Sequence, residues 1–333
     1  MRISIAMCTY NGAVFVTEQL KSIAAQTRLP EELVIFDDAS TDKTLDIVET
    51  FAQSAPMAVS VHANSENVGS TANFERAIRA TTGDIVFLAD QDDVWQTHKV
   101  ERLASILENE PELGLVFTDA DIIDEDGNPT GGTLWEVAFP ETTRQEVGRK
   151  TIFDLLIRRD MVTGATVAFR SSLRDRFLPI PTEIPNLIHD GWIALIAAAA
   201  GEIRFLNEPL IQYRQHKRQQ CGVDTPFERK GKESRKDYEK WIEVLERENE
   251  RLAIIRVLVK EHPVLSRGRL SEPVDAIIVR NEERRRHLKA RIDYPRSPIR
   301  RLPEILRELT SGRYQRYSRG LLSAVKDLIA SNH

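Results

Sequence analysis

The sequence predicts an α/β fold built on a mostly parallel, doubly wound sheet, followed by a helical region. Three observations lead there. Over the first hundred residues, short apolar runs alternate with stretches of helical spacing in the order β-α-β-α-β-α-β, the pattern of a doubly wound sheet. Each apolar run ends abruptly in polar residues, so one edge of the sheet collects hydroxyl, amide and carboxylate groups. The fourth run, Ile85, Val86, Phe87, Leu88 and Ala89, reads as a strand buried on both faces and ends in Asp90, Asp92 and Asp93.

Taken in order, Ile3 to Met7 is a strand followed by the polar turn Cys8-Thr9-Tyr10-Asn11-Gly12, and Val16, Leu20 and Ile23 mark a helix over 13–26. Pro30 breaks that pattern before a second strand, 33–36, which runs into Asp37-Asp38-Ala39-Ser40-Thr41-Asp42 and a helix over 43–53. A third strand, 59–62, leads through Asn64-Ser65-Glu66-Asn67-Val68-Gly69-Ser70 to a helix over 71–80 and then to the fourth strand. The apolar stripe Val100, Leu103, Ile106 and Leu107 predicts a helix over 95–108, and 113–118 is a further strand closed by the acidic hairpin turn Asp124-Glu125-Asp126-Gly127-Asn128. Residues 131–139 and 144–149 read as a variable loop and a helix start, 152–157 as helical, and 161–170 as a Gly-containing turn entering a strand.

The strand ends carry the chemistry. Open α/β sheets place ligands at the carboxyl ends of their strands. Thr9, Tyr10 and Asn11 offer hydroxyl and amide groups and a ring surface to a base or ribose. Asp37 or Asp38 would accept from a pyrimidine N3–H or a ribose hydroxyl; the alternative is a cap and turn before the next helix. Asn67, Gly69 and Asn73 suit a loop in which backbone approaches a ligand closely. Carboxylates packed as closely as Asp90, Asp92 and Asp93 repel, and a hard divalent cation such as Mg²⁺ or Mn²⁺ relieves that repulsion while binding phosphate oxygens. Neither G-x-G-x-x-G after the first strand nor G-x-x-x-x-G-K-[ST] occurs, so no Gly-rich phosphate cradle is present. Diphosphate held through metal is the remaining route.

Composition bounds the rest. A chain of 333 residues with 41% apolar residues holds two domains or one with a large appendage. A net charge of −5 argues against nucleic acid as a partner. Cys8 and Cys221 are far apart without metal-ligand spacing, which suits a reducing compartment. Met1 to Tyr10 is too short and polar-ended for a signal peptide, and no run of about eighteen apolar residues occurs, so a cytoplasmic protein is expected.

The motifs Cys8-Thr9-Tyr10-Asn11, Asp37-Asp38-Ala39-Ser40-Thr41-Asp42, Asn67-Val68-Gly69 and Ala89-Asp90-Gln91-Asp92-Asp93-Val94-Trp95 come in the order and spacing of glycosyltransferase family 2, which the chain resembles over roughly residues 1 to 220. The resemblance implies a GT-A fold and transfer of a sugar from a nucleotide diphosphate sugar with inversion, assisted by Mg²⁺ or Mn²⁺. It places Thr9, Asn11 and Asp37 on the nucleoside, Asp90 on ribose or sugar, and the metal on Asp92, leaving Asp93 without a role. Gly164 and Thr166 would line the sugar and acceptor side. Asp190, in His189-Asp190-Gly191-Trp192 before an apolar helix, matches the family's acid–base position; by its residues alone it would be an N-cap. Arg214 and His216, near the end of a strand pattern from Gly201, are placed at the diphosphate and the metal. A finer resemblance to bacterial rhamnosyltransferases rests on Asn67-Val68-Gly69-Ser70, Asn73-Phe74, the Asp90 to Trp95 run and Tyr213-Arg214-Gln215-His216. It implies dTDP-L-rhamnose as donor and a glycan or lipid-linked acceptor, with a UDP-hexose as the alternative donor. A nucleotidyltransferase, or a nucleotide-sugar-binding module without catalysis, are the rival readings. The first lacks a triphosphate loop after Thr9, and the second is opposed by the carboxylates at Asp92 and Asp190.

The catalytic region is therefore expected over 1–222 and an α-helical region over 223–333. Trp241, Val244, Leu245, Leu252 and Ile255 predict a helix to about His262, and Pro273 opens another to about Arg291, together an αα-hairpin that packs on the first region or makes a homodimer. Residues 296–329 are basic, with Ile299, Leu302, Ile305, Leu306 and Leu309 on one face and Tyr314 and Tyr317 as interfacial rings. That segment either lies on the inner face of an anionic membrane or packs on the protein as a solvated helix.

Overall fold

The computed structural model describes residues 1–147, 152–182, 184, 187–217, 219, 235–295 and 297–329. Cys221, Arg296 and the expected boundary between 222 and 223 lie outside them.

The expected alternation is present. Strands β1 (Ile3–Thr9), β2 (Glu32–Asp37), β3 (Ala58–Ala63) and β4 (Ile85–Ala89) alternate with helices α1 (Val16–Ala24), α2 (Thr44–Ala52) and α3 (Ser70–Ala80). The strands pair in parallel in the order β3-β2-β1-β4, with Thr9 level with Asp37 and Met7 level with Ala89. β1 and β4 are fully buried, which is why they read as unbroken apolar runs. The strand order reverses at β1, so the crevice beyond Thr9 and Ala89 is the switch point at which such sheets bind ligands.

The second half of the sheet is mixed. After β5 (Val94–Trp95) and helix α4 (Lys99–Asn109) come β6 (Leu115–Ile123), β7 (Pro129–Thr133), β8 (Val167–Arg170) and β9 (Ile203–Arg214), extending the order as β4-β8-β6-β9-β5 with β7 on β6. β8 runs antiparallel to both β4 and β6, while β6 and β9 are parallel. Two expectations are corrected here. Trp95 belongs to a strand, because Val94 and Trp95 pair with Gln212 and Ile211, and the helix begins only at Lys99. Residues 131–139 are not a loop: β7 is followed by the helix Leu134–Val137, whose Trp135 is buried among Phe117, Phe139 and Phe205, with Asp119 accepting from the Trp135 N–H. The hairpin turn at Asp124 is present, its carboxylate accepting from the N–H groups of Asp126 and Asn128.

The chain divides into two compact units, Met1–Pro226 with Val259–Leu270, and Phe227–Leu258 with Ser271–His333. In the second, the helix Arg235–Glu261 packs against Val274–Ile292 through Tyr238, Ile242, Leu245 and Leu288, followed by helices Pro298–Thr310, Arg313–Tyr317 and Leu321–Ile329. Tyr314 is fully buried with its hydroxyl on Asp327, so that ring is an interior group rather than an interfacial one, while Tyr317 is half-buried with its hydroxyl donating to Glu283. No described helix is long and apolar enough to cross a membrane.

Candidate active site

A cleft of about 440 Å³ opens at the carboxyl ends of β1 and β4. Of the residues singled out from sequence, Thr9, Tyr10, Asn67, Gly69, Asn73, Asp90, Asp92, Asp190 and Arg214 line it. Asn11, Asp37 and His216 are not in its lining. Sequence reasoning assigned no site role to Cys8, Phe74, Gln91 and Tyr213, although its motifs contain them, nor to Thr163, Ile188 and Gln219.

At one end the loops after β1, β2 and β3 are laced together. Asp37 is buried, with one oxygen accepting from the hydroxyls of Thr9 and Ser40 at 2.7 and 2.6 Å and the other from the Ser40 N–H. It therefore reaches the cleft through Thr9 rather than directly. Asn11 carries a φ of +48°, which Asn tolerates, and its side-chain oxygen accepts from the Thr41 N–H. Asp38 takes the cleft-lining place beside it and accepts from the N–H groups of Val68 and Gly69 at 2.8 and 2.9 Å, fixing the Asn67 loop. Asn73 spends its amide on the Phe36 carbonyl and the Asn64 amide. Tyr10 is half-exposed, and the Gln91 amide clamps its backbone N–H and carbonyl.

The acidic cluster forms the floor. Burial, with the charges of Asp92 and Asp190, pushes the Asp90 carboxyl up to about 7, against an opposing pull from Lys99. Burial and the charges of Asp92 and Asp90 raise Asp93, which receives the Arg214 N–H on one oxygen and keeps the other buried with no partner. Lys99 is fully buried beneath them, its ammonium donating to the Ala165 carbonyl at 2.6 Å and lying 3.5 Å over the Trp95 ring. Burial pulls its affinity for the proton well down. Arg214 is 2% exposed, and its guanidinium is taken up by the Asp92, Asp124 and Glu125 carbonyls and the Glu18 carboxylate. It braces the acidic turn from behind.

The donor set suits a hard divalent cation. His216 Nε2 lies 2.8 Å from Asp92 Oδ2. Two ligands of one octahedral ion, each about 2.1 Å from it, stand about 3 Å apart. Among the described residues no three His, Cys, Asp or Glu side chains converge on one point. An ion here would complete its shell with phosphate oxygens and water, as Mg²⁺ commonly does.

Asp190 lines the same cleft, close enough for its charge to act on Asp90. The helix His189–Ala200 starts before it, so Asp190 sits in the first turn, where the helix dipole favours a carboxylate. Its oxygens accept from the Gly164 N–H at 2.8 Å and the Gly191 N–H at 2.7 Å. A Cβ on Gly164 would stand 3.2 Å from His189 Nε2, so a side chain there would crowd this corner. His189 stacks on Phe74 with ring centroids 4.0 Å apart, and burial pulls its pKa down to about 3, so it is neutral beside Asp190. Thr166 turns its hydroxyl to the Thr163 carbonyl; Thr163 lines the cleft in its place.

The model of the family "Glycosyl transferase family 2" matches residues 4–176. An uncharacterized glycosyltransferase of Nostoc is 29% identical over 216 residues, 65% of each chain, so the chain spans just under two thirds of that protein's length. A dTDP-rhamnosyl transferase, RfbG, of Shigella flexneri is 27% identical over 240 residues, 68% of this chain and 77% of that one. The crystal structure of the mannosyltransferase PcManGT of Pyrobaculum calidifontis, in complex with GDP-Man and Mn²⁺, superposes with a TM-score of 0.51 at 20% identity over 94% of this chain and 75% of that one. At that identity the likeness shows the fold, which is GT-A. With a family match covering more than half of its length and a cleft at the strand ends where its sequence motifs meet, the chain belongs to glycosyl transferase family 2.

Proposed function

We propose that this protein transfers a sugar with inversion from a nucleoside diphosphate sugar, with dTDP-L-rhamnose the favoured donor, to a hydroxyl of a growing polysaccharide or lipid-linked glycan. The observation that carries the reading is that Asp90, Asp92 and Asp190 line one cleft, with His216 Nε2 2.8 Å from Asp92. A carboxylate for the leaving-group side and one for the acceptor are then available to a single bound donor.

Thr9 and the loop fixed by Asp38 hold the nucleoside, with the Tyr10 ring as its packing surface. Asp90 accepts from hydroxyls of ribose or sugar. Asp92 and His216 would hold Mg²⁺ or Mn²⁺, which would supply Lewis-acid stabilisation of the departing diphosphate. Asp190 takes the acceptor hydroxyl's proton as that oxygen attacks the anomeric carbon from the face opposite the diphosphate. The two N–H groups on Asp190 hold its carboxylate in place without contributing a proton of their own. The dTDP-L-rhamnose assignment draws on the rhamnosyl transferase of Shigella flexneri among the relatives; a UDP-hexose is the competing donor.

The test is a thermal-shift and donor-turnover panel of dTDP-, UDP- and GDP-sugars, with and without Mn²⁺, on the full chain and on Asp92→Asn and Asp190→Asn. Selective stabilisation by dTDP-rhamnose, with turnover lost in both variants, is the expected outcome. Stabilisation by UDP-sugars alone would replace the donor. Full turnover in either variant would remove the mechanism.

A further inference from the structure

Two of the last three helices of the second unit keep large aliphatic side chains outside. In Pro298–Thr310, Arg301, Ile305 and Glu308 turn inward, while Ile299, Leu302 and Leu306 form an outward stripe, Ile299 being 84% exposed. In Leu321–Ile329, Ser323, Ala324 and Asp327 turn inward, while Leu321, Leu322, Val325 and Ile329 face out, Leu322 being 71% exposed. Each set follows helical spacing, so each is a continuous face rather than scattered residues. The inner faces are already satisfied: Ile305 and Ala324 share a small core with Tyr294 and Tyr314, and Arg301 reaches the Asp327 carbonyl. The two outer faces have no such neighbour among the described residues of this unit.

The charges around these faces identify what covers them. Arg300, Arg319 and Lys326 are exposed, as are Arg307 and Arg316, which bridge to Glu304 and Glu283. The acids of the same segment are mostly withdrawn: Glu308 is buried against His287 and Arg313, and Asp327 against Arg291. Glu304 alone remains near the surface, bridged to Arg307. An aliphatic face rimmed by cations fits the headgroup and acyl boundary of an anionic bilayer, where each Lys or Arg adds attraction and the aliphatic groups enter the hydrocarbon edge. A second copy of the chain would bring the same cations against these, so self-pairing through this face is opposed by charge. We infer that helices Pro298–Thr310 and Leu321–Ile329 form an interfacial membrane-binding surface that takes anionic lipid headgroups. The surface lies flat on a leaflet and does not cross it.

Co-sedimentation of the full chain with phosphatidylcholine vesicles, and with vesicles also containing phosphatidylglycerol, tests this. The expected result is binding to the anionic vesicles only, weakened by salt. Binding falls roughly tenfold or more in the triple variant Leu302→Ser, Leu306→Ser, Leu322→Ser and in the charge variant Arg300→Gln, Arg319→Gln, Lys326→Gln. All six positions are exposed, so melting temperatures stay near that of the parent. The inference is overturned by no binding to either vesicle, by equal binding of both variants and the parent, or by a dimer that the triple variant abolishes while vesicle binding is absent. Donor turnover in solution is read in parallel; it stays with the parent value in both variants, so failure of this surface and failure of the transferase reading are distinguishable.

Discussion

His216 Nε2 lies 2.8 Å from Asp92 Oδ2 although the two residues are 124 positions apart in the sequence. The chain achieves this by pairing Val94 and Trp95 with Gln212 and Ile211, which sets the end of β9 beside the acidic turn after β4. Arg214 then locks the arrangement by donating to the Asp92 carbonyl at 2.9 Å. If the pair holds a divalent ion together, His216→Ala should weaken Mn²⁺ affinity, measured calorimetrically in the presence of dTDP, by roughly 10- to 100-fold. The melting temperature without metal should fall modestly, because the ring is nearly buried and packs on Phe15. Unchanged Mn²⁺ affinity would assign His216 to bracing alone.

Asp190→Asn separates chemistry from scaffold. Two backbone N–H groups point at the two carboxylate oxygens, and an amide presents only one acceptor to them. The other N–H would face an NH₂ group, costing about 1–3 kcal/mol of stability. Loss of a general base should lower kcat by about a hundred- to ten-thousandfold. Both effects should appear together: a modest drop in melting temperature and a collapse in turnover, with donor affinity retained in a binding titration. Turnover within a few-fold of the parent would show that the proton leaves by another route.

Much of this site was legible in the sequence because parallel strands are buried on both faces and announce themselves as apolar runs. β1 and β4 are such runs, and the polar residues where they stop mark the cleft. What stayed hidden depends on contacts distant in sequence. Lys99 occupies a place among the helix's apolar stripe, and nothing local reveals that its ammonium is buried against Ala165 and the Trp95 ring. Arg214 lines the cleft, but nothing local reveals that its guanidinium also meets Glu18 and three carbonyls. Asp37 and Asp38 are adjacent acids, and the family resemblance favours the first. Only the strand register, which sets Thr9 level with Asp37, shows that the first turns to the Thr9 hydroxyl and the second to the Asn67 loop.

The buried His189 makes stability depend on pH. Its pKa is pulled to about 3 by burial, whereas an unfolded imidazole titrates at about 6.5. The unfolded chain therefore takes up the proton first as pH falls. The contribution is complete above about pH 6.5 and is lost progressively toward pH 3, amounting to about 2 kcal/mol by pH 5. His189→Phe keeps an aromatic ring on Phe74 and removes the titration. Melting curves between pH 7 and pH 5 should fall more steeply for the parent than for this variant. Parallel curves would assign the acid sensitivity to other groups.

Gly12→Ala tests whether the Tyr10 and Gln91 clamp serves the donor. A Cβ at Gly12 would stand 2.0 Å from Gln91 Oε1 and 2.3 Å from Cδ, so the Gln91 side chain must leave. It would give up the hydrogen bonds it makes with the Tyr10 N–H at 2.8 Å and carbonyl at 2.9 Å. Both lie at the surface, so water replaces them and the stability cost stays near 1 kcal/mol. The Tyr10 backbone loses its fixed position at the mouth of the cleft, and the donor KM should rise roughly three- to tenfold with kcat little changed, the pattern of lost uniform binding. If the effect runs through Gln91, then Gln91→Ala should raise KM similarly, and adding Gly12→Ala to it should do nothing more. Additive effects in the double variant would place the role of Gly12 in its own backbone, whose N–H donates to the Thr44 hydroxyl at 2.8 Å, and not in the clamp.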